Sequence, residues 1–146
     1  MLIKGLKFDL RLYALICGCD PLRIYLFKDG LVRFATEKYQ KADDDNKTDM
    51  FRHLTNYAIN KENPNFQAND TFEDDKNSHK RSLLAFFKEL EEEGIDTKII
   101  WLQIQDLINK TLCSIQPILK HASFLQSDDP YNQGYFEILG FDVLLD

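Results

Sequence analysis

The stretch Leu6-Lys7-Phe8-Asp9-Leu10-Arg11-Leu12-Tyr13-Ala14-Leu15 decides the fold class, because it changes side-chain character at every step. Lys7, Asp9, Arg11 and Tyr13 fall on one side and Phe8, Leu10, Leu12 and Ala14 on the other, which is the period of a β-strand. One face of that strand is apolar and must cover a core. The other carries a cation, an anion and a cation at alternate positions.

Further strand and helix signals follow this stretch. After Cys19-Asp20-Pro21, Leu22 to Phe27 reads as a second strand. Asp29-Gly30 then predicts a tight turn into Leu31–Ala35, since both residues of such a turn must tolerate positive φ. Ser82 is suited to cap a helix whose apolar residues Leu83, Leu84, Phe86, Phe87 and Leu90 run to a stop at Gly94. A longer helix is expected from Asp96, with Ile100, Ile104, Leu107, Ile108, Leu112 and Ile115 at helical spacing, ended or kinked by Pro117. Tyr135 to Asp146 closes the chain as an apolar strand. Met50 to Ile59 reads as a helical turn and an extended piece, between polar loops at Lys38–Lys47 and Asn60–Ser78. Strands, helices and a final strand predict an α+β fold with α/β-like layering, a mainly antiparallel sheet and two packed helices.

With 146 residues, 44% of them hydrophobic, the chain can bury one core. No apolar run approaches the roughly 20 residues of a membrane-spanning helix, and the first residues lack the pattern of a secretory signal. An intracellular protein is expected. The formal charge of −6 opposes binding to nucleic acid or an anionic membrane. Cys17, Cys19 and Cys113 include no Cys-x-x-Cys pair and read as reduced thiols, with Cys17 and Cys19 on one strand face as small hydrophobes. Asp43-Asp44-Asp45 lacks the spacing of a calcium loop and reads as solvated.

Three groups of residues can carry chemistry. Lys7, Asp9 and Arg11 share one strand face, where lysine and arginine suit phosphate and aspartate can accept from a hydroxyl or amino group. A salt-bridged surface strand is the alternative. His53-Leu54-Thr55-Asn56, followed by Tyr57-Ala58-Ile59-Asn60-Lys61, offers donors for a phosphate or carboxylate. A backbone-satisfied histidine is the plainer reading of His53, and of His79 and His121. Asp142, in the apolar stretch Gly140-Phe141-Asp142, requires a partner, either a magnesium ion on nucleotide phosphates or one of Lys7, Arg11 and Arg33.

Taken in order, Lys7-Phe8-Asp9-Leu10-Arg11, Arg33-Phe34-Ala35-Thr36, His53-Leu54-Thr55-Asn56 and Phe136-Glu137-Ile138-Leu139-Gly140-Phe141-Asp142 resemble successive motifs of the tubulin tyrosine ligase-like family, an ATP-grasp family. Cys19-Asp20-Pro21-Leu22-Arg23-Ile24 and His53 to Lys61 are similar to its glutamate-adding branch, with the glycine-adding branch as second choice. The resemblance implies that residues 1–146 are an internal piece, truncated at both ends, forming the C-terminal part of an ATP-grasp module. It implies ATP and Mg²⁺ as cofactors, free glutamate as co-substrate, and tubulin or microtubules as partner, in the cytoplasm and cytoskeleton, including cilium and basal body. By the same resemblance Lys7 and Asp9 contact the nucleotide. Arg11 and Arg33 serve the phosphates or the incoming amino acid, Thr55 and Asn56 the phosphate or ribose, and Asp142 the magnesium. A partial site is expected to bind Mg-ATP weakly and not to turn over alone. A noncatalytic remnant that binds tubulin or another partner is the alternative from another class.

Overall fold

The computed structural model describes residues 1–69, 77–126 and 134–146. The acidic centre of the second polar loop, residues 70–76, lies outside them. The elements are β1 (Leu6–Cys19), β2 (Leu22–Lys38), α1 (Met50–His53), α2 (Tyr57–Asn60), β3 (Lys80–Ser82), α3 (Leu83–Glu92), α4 (Thr97–Gln126) and β4 (Phe136–Val143). They form an antiparallel four-stranded sheet in the order β3-β2-β1-β4 together with helices, an α+β fold. In β3, Ser82, Arg81 and Lys80 pair antiparallel with Leu31, Val32 and Arg33 of β2.

The alternation in β1 becomes an alternation of burial. Phe8, Leu10, Leu12, Ala14 and Ile16 are buried on one face, whereas Lys7, Arg11 and Tyr13 keep contact with solvent on the other. Asp9 breaks the pattern. It is buried although it belongs to the ionic face, because Arg33 neutralises it.

The Asp29-Gly30 turn does not form. β2 runs as one 17-residue strand through both residues. Gly30 is not among the positive-φ glycines, and the Asp29 carboxylate faces the helix instead. Its Oδ1 accepts from Gly30 N at 2.8 Å and from Leu84 N at 3.2 Å, satisfying a donor that the first turn of α3 cannot pair internally. The chain reverses earlier, at Asp20-Pro21 between β1 and β2.

Two compact units share the chain. The first comprises Met1–Arg11, Asp29–Ile95 and Asp142–Asp146. Its core centres on Phe8, Phe34 and Phe86, whose ring centroids lie 5.1 to 6.1 Å apart in tilted and edge arrangements, the geometry that aromatic quadrupoles favour. Leu83 and Leu90 of α3 are fully buried with them. Ser82 Oγ accepts from Ala85 N at 3.1 Å and Gly94 takes φ +85°, so both helix-boundary signals operate as the sequence indicates. Arg81 lies 4.4 Å from the Phe34 ring centroid and donates to Glu89 at 2.7 Å, extending the core with a neutralised charge.

The second unit comprises Leu12–Lys28 and Asp96–Phe141. Within it, Leu12, Ala14 and Ile16 are buried, as are Ile104, Ile108 and Leu112 on one stripe of α4. Gln116 Nε2 donates to Cys19 O at 2.9 Å, and Lys120 meets Asp20 at 2.6 Å. Helix α4 continues to Gln126, so Pro117 does not end it. Cys17 and Cys19 are half-buried, short of the buried positions expected of them, and Cys113 is exposed; all three are free thiols. No helix among the described residues is long and apolar enough to cross a membrane.

Candidate functional site

The ionic face of β1 gains neighbours because β2 and β4 flank that strand. Arg33 enters from β2 and Asp142 from β4. Arg33 grips Asp9 with two donors: Nε meets Oδ1 at 3.0 Å and Nη2 meets Oδ2. The same Nη2 lies 2.9 Å from Asp142 Oδ1. Arg11 holds Asp142 through Nε at 2.5 Å and through Nη2 at 3.2 Å. Four side chains from three strands thus form one run, Asp9–Arg33–Asp142–Arg11. Paired guanidinium forks fix the planes of both carboxylates, which a lysine ammonium would not do.

Burial grades this run. The Asp9 and Arg33 side chains are 5% and 11% exposed, and those of Arg11 and Asp142 are 31% and 51% exposed. Hydrogen bonding by Asp9 raises the Arg33 pKa above its ordinary value against the opposing effect of burial. Hydrogen bonding by Arg11, aided by Arg33, lowers the Asp142 pKa below the usual carboxylate range. Both groups are ionised at neutral pH. The open end therefore presents the Arg11 guanidinium and a solvated carboxylate that the largely buried Arg33 holds from behind, an arrangement that can exchange the carboxylate for a ligand's phosphate or carboxyl oxygens.

Lys7, on the same strand face, does not point its ammonium into this run. Its Nζ donates to His53 O at 2.7 Å and fastens the segment after α1 to β1. His53 itself is satisfied by Asn46, whose backbone and side-chain oxygens lie 3.1 and 3.0 Å from Nε2, with Tyr39 edge-on to the ring. Thr55 is buried and Asn56 exposed, in the extended link between α1 and α2. Neither side chain hydrogen-bonds with the Asp9–Arg33–Asp142–Arg11 run. Of the seven residues singled out from sequence, the structure therefore joins Asp9, Arg11, Arg33 and Asp142 directly, attaches Lys7 to the His53 end of the link, and leaves Thr55 and Asn56 on that link.

Asn60 has no role in the sequence reading of the Tyr57-Ala58-Ile59-Asn60-Lys61 stretch. It is 1% exposed, and its amide uses both ends. Oδ1 accepts from Thr36 N and Thr36 Oγ1, each at 2.9 Å. Nδ2 donates to Leu54 O at 2.8 Å and Asn56 O at 3.1 Å. The available signal was its helix-neighbour spacing, four residues beyond Asn56.

The described residues contain no group of three or more His, Cys, Asp or Glu side chains that could hold a metal ion. Asp142 has the right chemistry for magnesium, a hard oxygen donor kept ionised, and magnesium commonly takes one or two carboxylates with phosphate and water. It fits as a single protein ligand. Asp43 to Asp45 form no such site: Asp43 Oδ1 accepts from Asp45 N and Asn46 N in an exposed turn, while Asp44 pairs with Lys47.

The family described as the Tubulin-tyrosine ligase family matches residues 1–146. The chain is 54% identical over 146 residues to a protein of Tetrahymena thermophila named Probable beta-tubulin polyglutamylase, covering 99% of this chain and 12% of that protein. It is 46% identical over 148 residues to a Danio rerio protein named Tubulin polyglutamylase ttll6, covering 99% and 18% respectively. It is 44% identical over 146 residues to a Homo sapiens protein named Tubulin polyglutamylase TTLL6, covering 99% and 16%. The chain thus spans less than a fifth of the length of these curated relatives.

Proposed function

Since the chain belongs to the tubulin-tyrosine ligase family, we propose that it carries one wall of the active site of an ATP-dependent ligase that adds glutamate to tubulin. The observation that supports this reading is the Arg11–Asp142–Arg33 arrangement, open to solvent at Arg11 and Asp142 with Arg33 largely buried behind them. It offers two guanidiniums to anionic oxygens beside an ionised carboxylate. The relatives' names favour glutamate over glycine as the added amino acid.

The proposed chemistry has two steps. The acceptor carboxylate of a tubulin glutamate attacks the γ-phosphorus of ATP, forming an acyl phosphate and releasing ADP. The amino nitrogen of free glutamate then attacks the acyl carbon and loses a proton, and inorganic phosphate leaves as the amide forms. Negative charge collects on the transferring oxygens in both steps, and Arg11 with Arg33 stabilises it. Asp9 orients Arg33 from behind. Asp142 would be the protein ligand to Mg²⁺, which when bound supplies charge neutralisation on the phosphates. Thr55 and Asn56 would contact the phosphate or ribose. Lys7 would contribute by holding the link that carries them. This reading places the protein at microtubules in the cytoplasm, including those of cilia and basal bodies.

A single carboxylate ligand makes a weak metal-nucleotide site, so these residues alone are expected to bind Mg-ATP weakly and to leave glutamate unincorporated. The test is titration of the chain with Mg-ATP, followed by an assay of labelled glutamate transfer to tubulin. Weak saturable binding that falls about tenfold in Arg11→Ala, the loss of one charge-assisted contact, supports the reading. Absence of binding at any concentration overturns it. Robust transfer by the chain alone would overturn the claim that further groups are required.

A further inference from the structure

We propose that Asn60 is a positioning residue, which sets Thr55 and Asn56 against the Arg33 strand without touching the ligand itself. The inference rests on the nucleotide-binding reading above and extends it to a residue that reading does not use.

The geometry carries the case. The link bearing Thr55 and Asn56 lies between α1 and α2, each four residues long. Helices this short do not hold their own shape in water, since nucleation costs more than so few hydrogen bonds return. Fixation must come from elsewhere: Arg52 Nη1 ties α1 to Lys38 O at 2.9 Å, and two further side chains hold the link itself. Lys7 Nζ holds His53 O at 2.7 Å at the start of the link. Asn60 Nδ2 then holds Leu54 O at 2.8 Å and Asn56 O at 3.1 Å, the carbonyls on either side of Thr55.

The other end of the same amide reaches β2. Asn60 Oδ1 accepts from the backbone N and the Oγ1 of Thr36, three residues after Arg33 on that strand. One buried side chain therefore couples the strand that carries Arg33 to the link that carries Thr55 and Asn56. A carboxamide alone among similarly sized side chains supplies an acceptor for two donors and two donors for two acceptors. Aspartate keeps the first function and turns the second into repulsion, because its oxygen would face two carbonyls. Alanine loses both and leaves buried polar groups unpaired.

A purely structural asparagine would lower stability and leave ligand affinity of the folded protein unchanged. The experiment measures Mg-ATP affinity in the parent, Asn60→Ala, Asn60→Asp, Thr36→Val and Ile108→Val, each below its thermal midpoint. Ile108 lies in the buried stripe of α4 and serves as a destabilised control. Asn60→Ala and Asn60→Asp are expected to lose about tenfold or more in affinity, from misplacement of contacts by a fraction of an ångström. Thr36→Val, which removes one hydroxyl donor and leaves the backbone bond, is expected to lose about threefold, the effect of one hydrogen bond. Ile108→Val keeps parental affinity.

If the Asn60 variants do not fold, Thr36→Val decides alone. Parental affinity in every folded Asn60 and Thr36 variant overturns the inference while leaving the nucleotide reading intact. A parent that does not bind Mg-ATP at all overturns both.

Discussion

Asp9–Arg33 and Arg11–Asp142 are the same pair of residue types, joined by similar forked contacts, yet they differ in what surrounds them. The first pair is 5% and 11% exposed and the second 31% and 51%. A buried ion pair sits in a medium where neither partner can recover its hydration, so neither can be removed cheaply. A half-exposed pair exchanges with water at little net cost and contributes modestly to stability. The contrast makes Asp9 the fixed anchor of Arg33 and leaves Arg11 with Asp142 able to rearrange around a ligand, although both pairs lie on one ionic face of one sheet.

The strongest way to break this comparison is to remove one inner partner. Asp9→Ala leaves the buried Arg33 only its contact with the more exposed Asp142, and denaturant unfolding should show a loss of about 3 kcal/mol, the lower end for a broken buried pair. A loss as small as that of an outer-pair variant would erase the distinction. Asp9→Leu combined with Arg33→Met should recover most of that stability, since a packed apolar pair of similar volume carries no desolvation penalty, but it should abolish nucleotide binding.

Removing an outer partner should divide the effects the other way. Arg11→Met is expected to cost under about 1 kcal/mol in unfolding and about tenfold in Mg-ATP affinity, the loss of one charge-assisted contact. Added salt should weaken what the outer pair contributes and leave the inner pair's contribution nearly unchanged.

Acid sharpens the comparison with the smallest effects. Asp142 has a folded pKa below its ordinary 3.8, so its contribution is complete above that value and is lost as pH falls further through the folded pKa. His79 acts in a higher window. Burial, with nearby Arg81, lowers its pKa from 6.5, and its neutral Nδ1 accepts from Gln67 N at 3.0 Å. The unfolded chain therefore binds this proton more readily, and stability should decline as pH falls below 6.5. Thermal midpoints of the parent and His79→Gln across pH 7 to 5 should differ by that slope, whereas Asp142→Asn should keep it.

Much of this arrangement was legible in the sequence. The alternation of β1 placed Phe8 and Leu10 opposite Lys7, Asp9 and Arg11, and Ser82 and Gly94 set the helix boundaries, because both signals are local. Asp29-Gly30 misled for a physical reason. Its turn preference competes with a demand that becomes visible only in three dimensions, the unpaired Leu84 N at the start of α3, which the Asp29 carboxylate satisfies. β3 is three residues long and carries no period to detect. Sequence narrowed the partner of Asp142 to magnesium or a nearby cation. Two guanidiniums hold it, the second of those alternatives, and a magnesium ion there belongs to the proposed function alone. The role of Asn60 was hidden because it depends on Thr36, 24 residues away.

The most direct measurement of the central claim is an NMR titration of the chain with Mg-ATP that follows the Nε–H signals of Arg11 and Arg33 together. The Arg11 signal should shift saturably as Asp142 yields its place to phosphate, while the Arg33 Nε–H bonded to Asp9 Oδ1 stays close to its starting position. A saturating shift at the Arg33 Nε–H with Arg11 unmoved, or no shift at either, would contradict the division into a fixed inner pair and an exchanging outer pair.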